Sequence, residues 1–464
     1  MDLSHQQQKT IYEQYWLPIE QLTTKQDKQE NELSEFIRHF LSFKNREIPN
    51  KSKIYETFKA SYPIKKIPNL ESLLQEIKDY AGYYDCLINP DKEKNKTLSR
   101  HLHHLQQLEI GVSYPFLLEV YHDYATRAID EQTFAAVLEL TQTFVWRRFI
   151  VDLPTNALNK VFLRLYLGIR DKADYLNELQ KSLLRLSGTS RLPNDAEIKN
   201  KLKEKDIYNS RPKNKLYFLS KLENHNNREW VEITENDHIT IEHIFPQTPS
   251  ADWKKQLSDT DYKTLESYRD TIANLTLSGN NGALSNKGFI QKRDLPDKGY
   301  ADSRLFLNKF LREQDAWTPA VMEQRFELLL KRFYDIWTYP HHILVEKDGE
   351  QNIFEIEDPT GKNLVHYTFM GKRKNTSKFR DILRHVGHQL FELDASKFYQ
   401  PKIKQKLKVV MDKSEHRSSL KMGEDCYIEG SLSAKDIFSR LKLLLEVYEM
   451  EDELFVKFSQ TDTD

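Results

Sequence analysis

The chain has 464 residues, 39% of them apolar and 11% aromatic. That length exceeds one hydrophobic core, so about two to four domains are expected and wholesale disorder is excluded. The net charge of −1 says nothing by itself about nucleic acid, and no stretch reaches the uninterrupted apolar length of a membrane span. Cys86 and Cys426 are the only cysteines, which excludes a disulfide framework and a four-cysteine zinc site. Met1–Gln7 lacks the basic and apolar runs of a secretory signal, so a cytoplasmic protein with no membrane contact is expected.

Residues 1–229 read as a helical region. Leu33, Phe36, Ile37, Phe40 and Leu41 lie on one apolar helix face, as do Leu70, Leu73, Leu74, Ile77 and Tyr80. Phe134, Val137, Leu138 and Thr141 predict a further helix running on towards Phe144 and Val145, and another is expected over 171–183. Pro63, Pro68, Pro90, Pro154 and Pro193 mark the joints. The texture changes over 230–338. Val231–Thr234 and Ile239–Ile244 alternate apolar with polar residues, as half-buried strands do. Residues 253–269 return to helix, 274–277 form a short strand candidate, a turn follows at 278–282, and 303–338 read as helix again. The third region, 339–464, reads as a small α+β domain with strands near 343–345, 352–356 and 365–370. Its helices are expected over 378–393 and 433–448, the second capped by Ser433.

Charge is unevenly distributed. Residues 361–421 carry 15 Lys and Arg against 5 Asp and Glu, a local excess of +10 on a chain that is otherwise acidic. Such a segment fits one face meeting a polyanion, or a solvated lysine-rich surface. Lys372, Arg373 and Lys374 at a strand end are the candidate DNA-backbone contacts.

The chemistry concentrates at Glu242-His243, followed by Pro246, which cannot continue a central ladder. Asn274-Leu275-Thr276-Leu277, a loop with Asn280 and Asn281, and a helix with Asn286, Lys287 and Lys292 come after it. Strand, loop, strand and helix make a ββα unit. A neutral imidazole can take a proton from water at physiological pH. A divalent ion can polarise a scissile phosphate, and a hard ion such as Mg²⁺ accepts few oxygen ligands while keeping its waters. Glu242 and Asn281 supply one carboxylate and one amide oxygen for one such ion.

The run Ile241-Glu242-His243-Ile244-Phe245-Pro246-Gln247, then Asn274-Leu275-Thr276-Leu277, then Asn281-Gly282-Ala283-Leu284-Ser285-Asn286-Lys287, Phe289 and Lys292-Arg293, resembles the HNH nuclease domain of GmrSD-type, modification-dependent restriction endonucleases. Tyr12–Glu20, Trp146–Arg148 with Leu153–Asn156, and Tyr217–Glu223 are similar to landmarks of the same family, so the resemblance spans about residues 10–338. It implies a mainly α chain with a small ββα-metal (HNH) unit. It further implies a cytoplasmic endonuclease of anti-phage defence that cleaves or nicks DNA with one Mg²⁺ or Mn²⁺ per site. By resemblance His243 is the general base, Glu242 a metal ligand, Asn274 the residue orienting the His243 loop, Asn281 the second metal ligand and Lys292 a phosphate contact. The stretch between Asn274 and Asn281 is shorter than the family pattern, which leaves Asn280 or Asn286 as alternative ligands. The family's Asp-Gly-Gln-Gln-Arg-like sensor motif is not present in this sequence, nor is a Gly-rich phosphate loop. Either a separate nuclease subunit with a nucleotide-binding sensor partner that reads modified DNA, or a truncated or divided product, is therefore expected. The alternatives are a DNA- or partner-holding module with an inert HNH fold, and cleavage of RNA. His103-His104 and His341-His342 read as loop or surface histidines, and Arg147-Arg148 as either DNA contacts or an internal ion pair.

Overall fold

Low glycine and proline content and 3.6-residue apolar spacing favour helix, and helices dominate the chain. The computed structural model describes residues 4–459 apart from 64–66, 68, 157, 234–237, 344–348, 371, 449 and 452. Two compact units separate by their contacts. One is Met1–Leu183 with Leu192–Ile343, and the other is Leu184–Arg191 with Leu344–Asp464.

The first unit is a helical body carrying one small ladder. Helix Leu33–Asn45 buries Phe36, Ile37, Phe40 and Leu41, the face its spacing predicts. Helix Leu70–Ile88 starts on Asn69, whose side chain accepts from the Ser72 amide at 3.1 Å. The central helix Glu131–Ile150 begins on Asp130, which accepts from the Thr133 amide at 2.8 Å. It is buried on most sides, and Trp146 packs on Tyr217, Phe218 and Trp337 at ring distances of 5.1, 5.1 and 6.1 Å. Arg147 is fully buried, donates to the Pro193 carbonyl at 2.8 Å and pairs with Asp195. Arg148 is buried too and donates to the Pro154 carbonyl at 2.8 Å. Both arginines therefore hold this unit together and do not face a nucleic acid.

A two-residue ladder joins β1 (Thr24–Lys25) to β2 (Glu30–Asn31). The ladder that matters for chemistry pairs β3 (Thr240–His243) with β4 (Leu275–Ser278). Residues 231–233, expected as strand, are irregular, and Thr234 lies outside the described residues. Helices Ala251–Gln256 and Asp259–Ser267 fill the connection between the strands. Helices Phe289–Arg293, Phe306–Arg312 and Pro319–Ile336 close the region.

The second unit is α+β, as expected. Its antiparallel sheet has the order β5 (Gln351–Asn352), β10 (Leu454–Phe458), β6 (Leu364–Phe369), β7 (Lys372–Asn375). A hairpin of β8 (Ser419–Gly423) and β9 (Cys426–Glu429) lies beside it in the topology. Of the expected strand at 352–356 only Asn352 pairs, because its side chain caps a tight turn over Ile353–Glu355. Of the expected strand at 343–345, Leu344 and Val345 lie outside the described residues. Helices Phe379–Leu393 and Ala434–Val447 cover the core built on Phe369, Leu383, Leu390, Leu441 and Leu444. Ser433 caps the second helix, accepting from the Asp436 amide at 3.1 Å.

His101 and His104 sit inside the first unit beside Gln142, Tyr217 and Lys221. Burial, then the charges of Lys221 and Arg100, hold His101 down to about 4, and His104 is lowered well below the ordinary imidazole range for the same reasons. Unfolding returns both rings to water, where they protonate near pH 6.5. Stability is thus fully present above pH 6.5 and is lost as pH falls from there towards 4. The loss from His101 alone is on the order of 2 kcal/mol at pH 4. All six tryptophans lie in this unit, so tryptophan fluorescence reports its urea midpoint. The midpoint should drop across that window by less in His101→Asn than in the wild type; equal drops would remove His101 from the account.

Candidate active site

Alternation along β3 sends Glu242 and His243 to opposite faces of the β3–β4 ribbon. Glu242 stands opposite Thr276, and His243 opposite Leu275. Pro246 ends the ladder as expected, and the chain turns away after Ile244, whose amide still reaches the Asn274 carbonyl at 3.0 Å.

Asn274 holds that turn. It is fully buried, and its Oδ1 accepts from the Phe245 amide at 2.8 Å and from Trp317 Nε1 at 3.2 Å. Its Nδ2 donates to the Phe245 carbonyl at 2.9 Å and to the Arg269 carbonyl at 2.8 Å. Every donor and lone pair of this amide is used. The carbonyls of Ile272 and Ala273, just before it, are gripped by the fully buried Arg325 at 3.1 and 2.6 Å.

One face of the ribbon is ionic. Glu242 Oε1 lies 2.6 Å from Lys292 Nζ, which also donates to the His243 carbonyl at 2.7 Å. Lys292 has no exposed surface, so it braces Glu242 and the strand and is not open to a phosphate. Burial pushes the Glu242 carboxyl up and the Lys292 ammonium down, each opposed by its partner's charge. Tyr300 is buried near Glu242, and burial followed by that carboxylate drives its phenol well up. Gly299 permits this arrangement, since a Cβ there would fall 2.3 Å from the Arg293 carbonyl and 2.7 Å from the Lys292 carbonyl. Thr276, on the same face, donates to Asn308 Oδ1 at 2.5 Å.

The other face carries the imidazole. His243 Nε2 lies 2.9 Å from Asp270 Oδ1, and the Tyr208 ring meets the imidazole edge-on at 4.3 Å. Burial lowers the His243 imidazole, with Asp270 opposing the shift. His243 is therefore neutral at physiological pH.

Asn281 reaches back across β3. Its Nδ2 donates to Thr240 Oγ1 at 2.7 Å and to the Ile241 carbonyl at 2.8 Å. Its Oδ1 is buried without a hydrogen-bond partner. Thr240 and Glu242 share a face as alternate positions on β3, so this spare oxygen is held on the Glu242 side. A carboxylate and an unpartnered amide oxygen are donors suited to a hard divalent ion that keeps its waters. Glu242 would have to share its charge with Lys292, and no group of three His, Cys, Asp or Glu side chains is placed to hold a metal among the described residues. Asn286 is exposed, and Asn280 turns its amide towards the Lys298 carbonyl at 3.5 Å. Asn281 is thus the better prepared of the three amides.

Residues 192–332 match the family described as GmrSD restriction endonucleases, C-terminal domain. This part of the chain is similar to GmrSD-type C-terminal domains. The match supports a restriction nuclease whose substrate is DNA, and its limits enclose every residue of the two faces just described. No curated protein matches the chain. No helix among the described residues is long and apolar enough to cross a membrane.

The GmrSD-type match begins well before β3, and the geometry gives a reason. Tyr208, which walls His243, precedes the predicted change of texture at Trp230. Sequence reasoning missed Tyr208, Asp270, Tyr300, Trp317 and Arg325. None has a motif spacing, and only the acidic Asp270 in the loop leading to Asn274 carried a usable signal. The basic trio lies in the second unit. Arg373 pairs with Glu350 at 3.2 Å, and the same carboxylate engages His366 and Thr368, each at 2.7 Å. Lys374 is exposed on β7, and the side chain of Lys372 lies outside what is described. Of the paired histidines, His103 contacts Asp91 at 2.9 Å, and His341 contacts Asp195 at 2.7 Å.

Replacing Asn274 with Ala strands the Phe245 backbone groups, the Arg269 carbonyl and the Trp317 indole in a dry site. Asn274→Ala should cost about 3 kcal/mol of stability. Urea denaturation followed by tryptophan fluorescence measures it, and a loss below about 1 kcal/mol would show that the clamp is dispensable.

Proposed function

We propose that residues 192–332 form an HNH-type endonuclease site that cleaves or nicks DNA in anti-phage defence, with His243 as general base and a divalent metal ion as cofactor. The observation that carries this reading is the clamp of Asn274 on Phe245. It holds the turn after Glu242-His243 in one conformation and so gives the middle asparagine of the motif a physical task. A neutral, burial-lowered imidazole is suited to take the proton of a water attacking phosphorus. Bound Mg²⁺ or Mn²⁺ would polarise the phosphate and stabilise the leaving oxygen, and Glu242 with Asn281, or with Asn286, would hold it. Lys292 opposes the burial that raises the Glu242 carboxyl and fixes the carbonyl of His243. Recognition of modified DNA, and any nucleotide hydrolysis, is assigned to a sensor module, whether on a partner subunit or elsewhere on a longer chain. Lys372, Arg373 and Lys374 are proposed as supporting DNA contacts, with a cytoplasmic location for the whole.

One observation favours the alternative of an inert fold that only holds DNA or a partner. The Glu242 carboxylate already has an ammonium against it. A plasmid-nicking assay separates the two readings. Nicking should require Mg²⁺ or Mn²⁺, stop with EDTA, and fall at least about a hundredfold in His243→Ala with the fold retained. Full activity in that variant would remove His243 from the chemistry. Glu242→Gln and Asn281→Ala should each raise the Mn²⁺ concentration needed for half-maximal nicking, and an unchanged titration in both would exclude them as ligands.

A further inference from the structure

The ribbon face that carries His243 contains more than the nuclease motif requires. Asp270 occupies the loop between the clamped Arg269 carbonyl and Asn274, so its backbone is fixed from one side. From the other side its carbonyl accepts the amides of Ile207 and Tyr208 at 2.9 and 3.1 Å, and Asp206 bridges to Thr271. Its carboxylate then meets His243 Nε2 at 2.9 Å, while Arg269 lies 3.5 Å from the second oxygen. Tyr208 closes the arrangement. Its ring packs edge-on against the imidazole at 4.3 Å, and Lys215 fixes it from behind by donating to its carbonyl at 2.9 Å and sitting over its ring at 4.6 Å. A segment far upstream thus holds Asp270 through the backbone and walls His243 through a side chain.

A carboxylate can only accept, so the imidazole nitrogen facing it must carry the hydrogen. That fixes the tautomer as Nε2–H and leaves the Nδ1 lone pair as the basic one. We infer that Asp270 is the positioning residue of this nuclease. It imposes the Nε2–H tautomer, aims Nδ1 at the attacking water and stabilises the imidazolium formed when that water gives up its proton, with Tyr208 preventing rotation of the ring. In the step itself the water oxygen bonds to phosphorus and the bond from phosphorus to the leaving sugar oxygen breaks. The water proton goes to Nδ1, the Nε2 proton stays on the ring and hydrogen-bonded to the Asp270 carboxylate, and the departing sugar oxygen takes a proton from bulk water. The inference rests on the proposed nuclease reading and adds to it the group that orients the base, as third groups orient bases at other hydrolytic sites.

The test uses the full chain with ¹⁵N-labelled histidine at pH 8. The His243 signals are assigned by their loss in His243→Gln. Long-range ¹H–¹⁵N spectra should show Nε2 protonated and Nδ1 unprotonated in the wild type. Asp270→Asn, whose amide can donate to Nε2, should move the population towards Nδ1–H. In plasmid nicking Asp270→Asn should lower kcat about a hundredfold with KM for DNA changed less than about threefold. An Nδ1–H imidazole in the wild type overturns the proposal without any variant, so misfolding of Asp270→Asn does not protect it. Wild-type cleavage with an unchanged kcat in a folded Asp270→Asn overturns the positioning role alone. Failure of the wild type to cleave under any divalent metal overturns the nuclease reading, and the positioning role with it.

Discussion

Everything at the candidate site hangs on the buried amide of Asn274. A side-chain amide taken out of water is costly when half its groups are idle and nearly free when all are paired. Here all are paired, and the partners come from three separate places: Phe245 beyond the first strand, Arg269 in the connecting loop and Trp317 ahead of the last long helix. The chain can satisfy them together in only one arrangement. Arg325 extends the constraint by holding the carbonyls of Ile272, Ala273 and Leu307 from inside the helix Pro319–Ile336. The loop that carries Asp270 is therefore as fixed as the strands, although it has no regular structure.

That constraint lets one short ribbon present two different chemistries. On one face, burial raises the carboxyl of Glu242 and the phenol of Tyr300, with Lys292 supplying the compensating charge. On the other, burial lowers the imidazole of His243 against the pull of Asp270. A dry ion pair gives little net stability compared with well-packed apolar residues. Its presence beside a neutral histidine is better explained by chemistry than by folding, because perturbed groups gather where acid–base and charge-stabilising roles are needed. The small separation along the chain and the opposite facing of the two side chains are both consequences of strand geometry.

The sequence made the ladder legible because alternation, Pro246 and the paired asparagines all act locally. The helix face at Leu33–Leu41 and the cap at Ser433 were equally plain, the one from its period and the other from its residue type. The expected strand at 352–356 shortened to Asn352 alone because Asn352 prefers to cap a turn with its own side chain. Asp270 and Tyr208 stayed hidden for a different reason. Their roles arise from one side chain crossing to His243 and from amides meeting across a loop, and neither contact has a period. Arg147 and Arg148 looked ambiguous as a pair of charges; burial decides the matter, since neither guanidinium is open to an outside phosphate.

The second unit raises a separate question of how charge is used. Its +10 segment is spread along β7, two helices and their connections, and Arg373 spends part of its guanidinium on Glu350. Exposed lysines on flexible stems make phosphate contacts whose strength depends on salt and not on sequence. A surface of this kind can raise the local concentration of DNA. Discrimination between modified and unmodified DNA needs a shaped, dehydrated contact to the modification itself. Diffuse charge cannot supply that, so affinity from this unit and selectivity for a target are physically distinct demands, and the proposed sensor module answers the second.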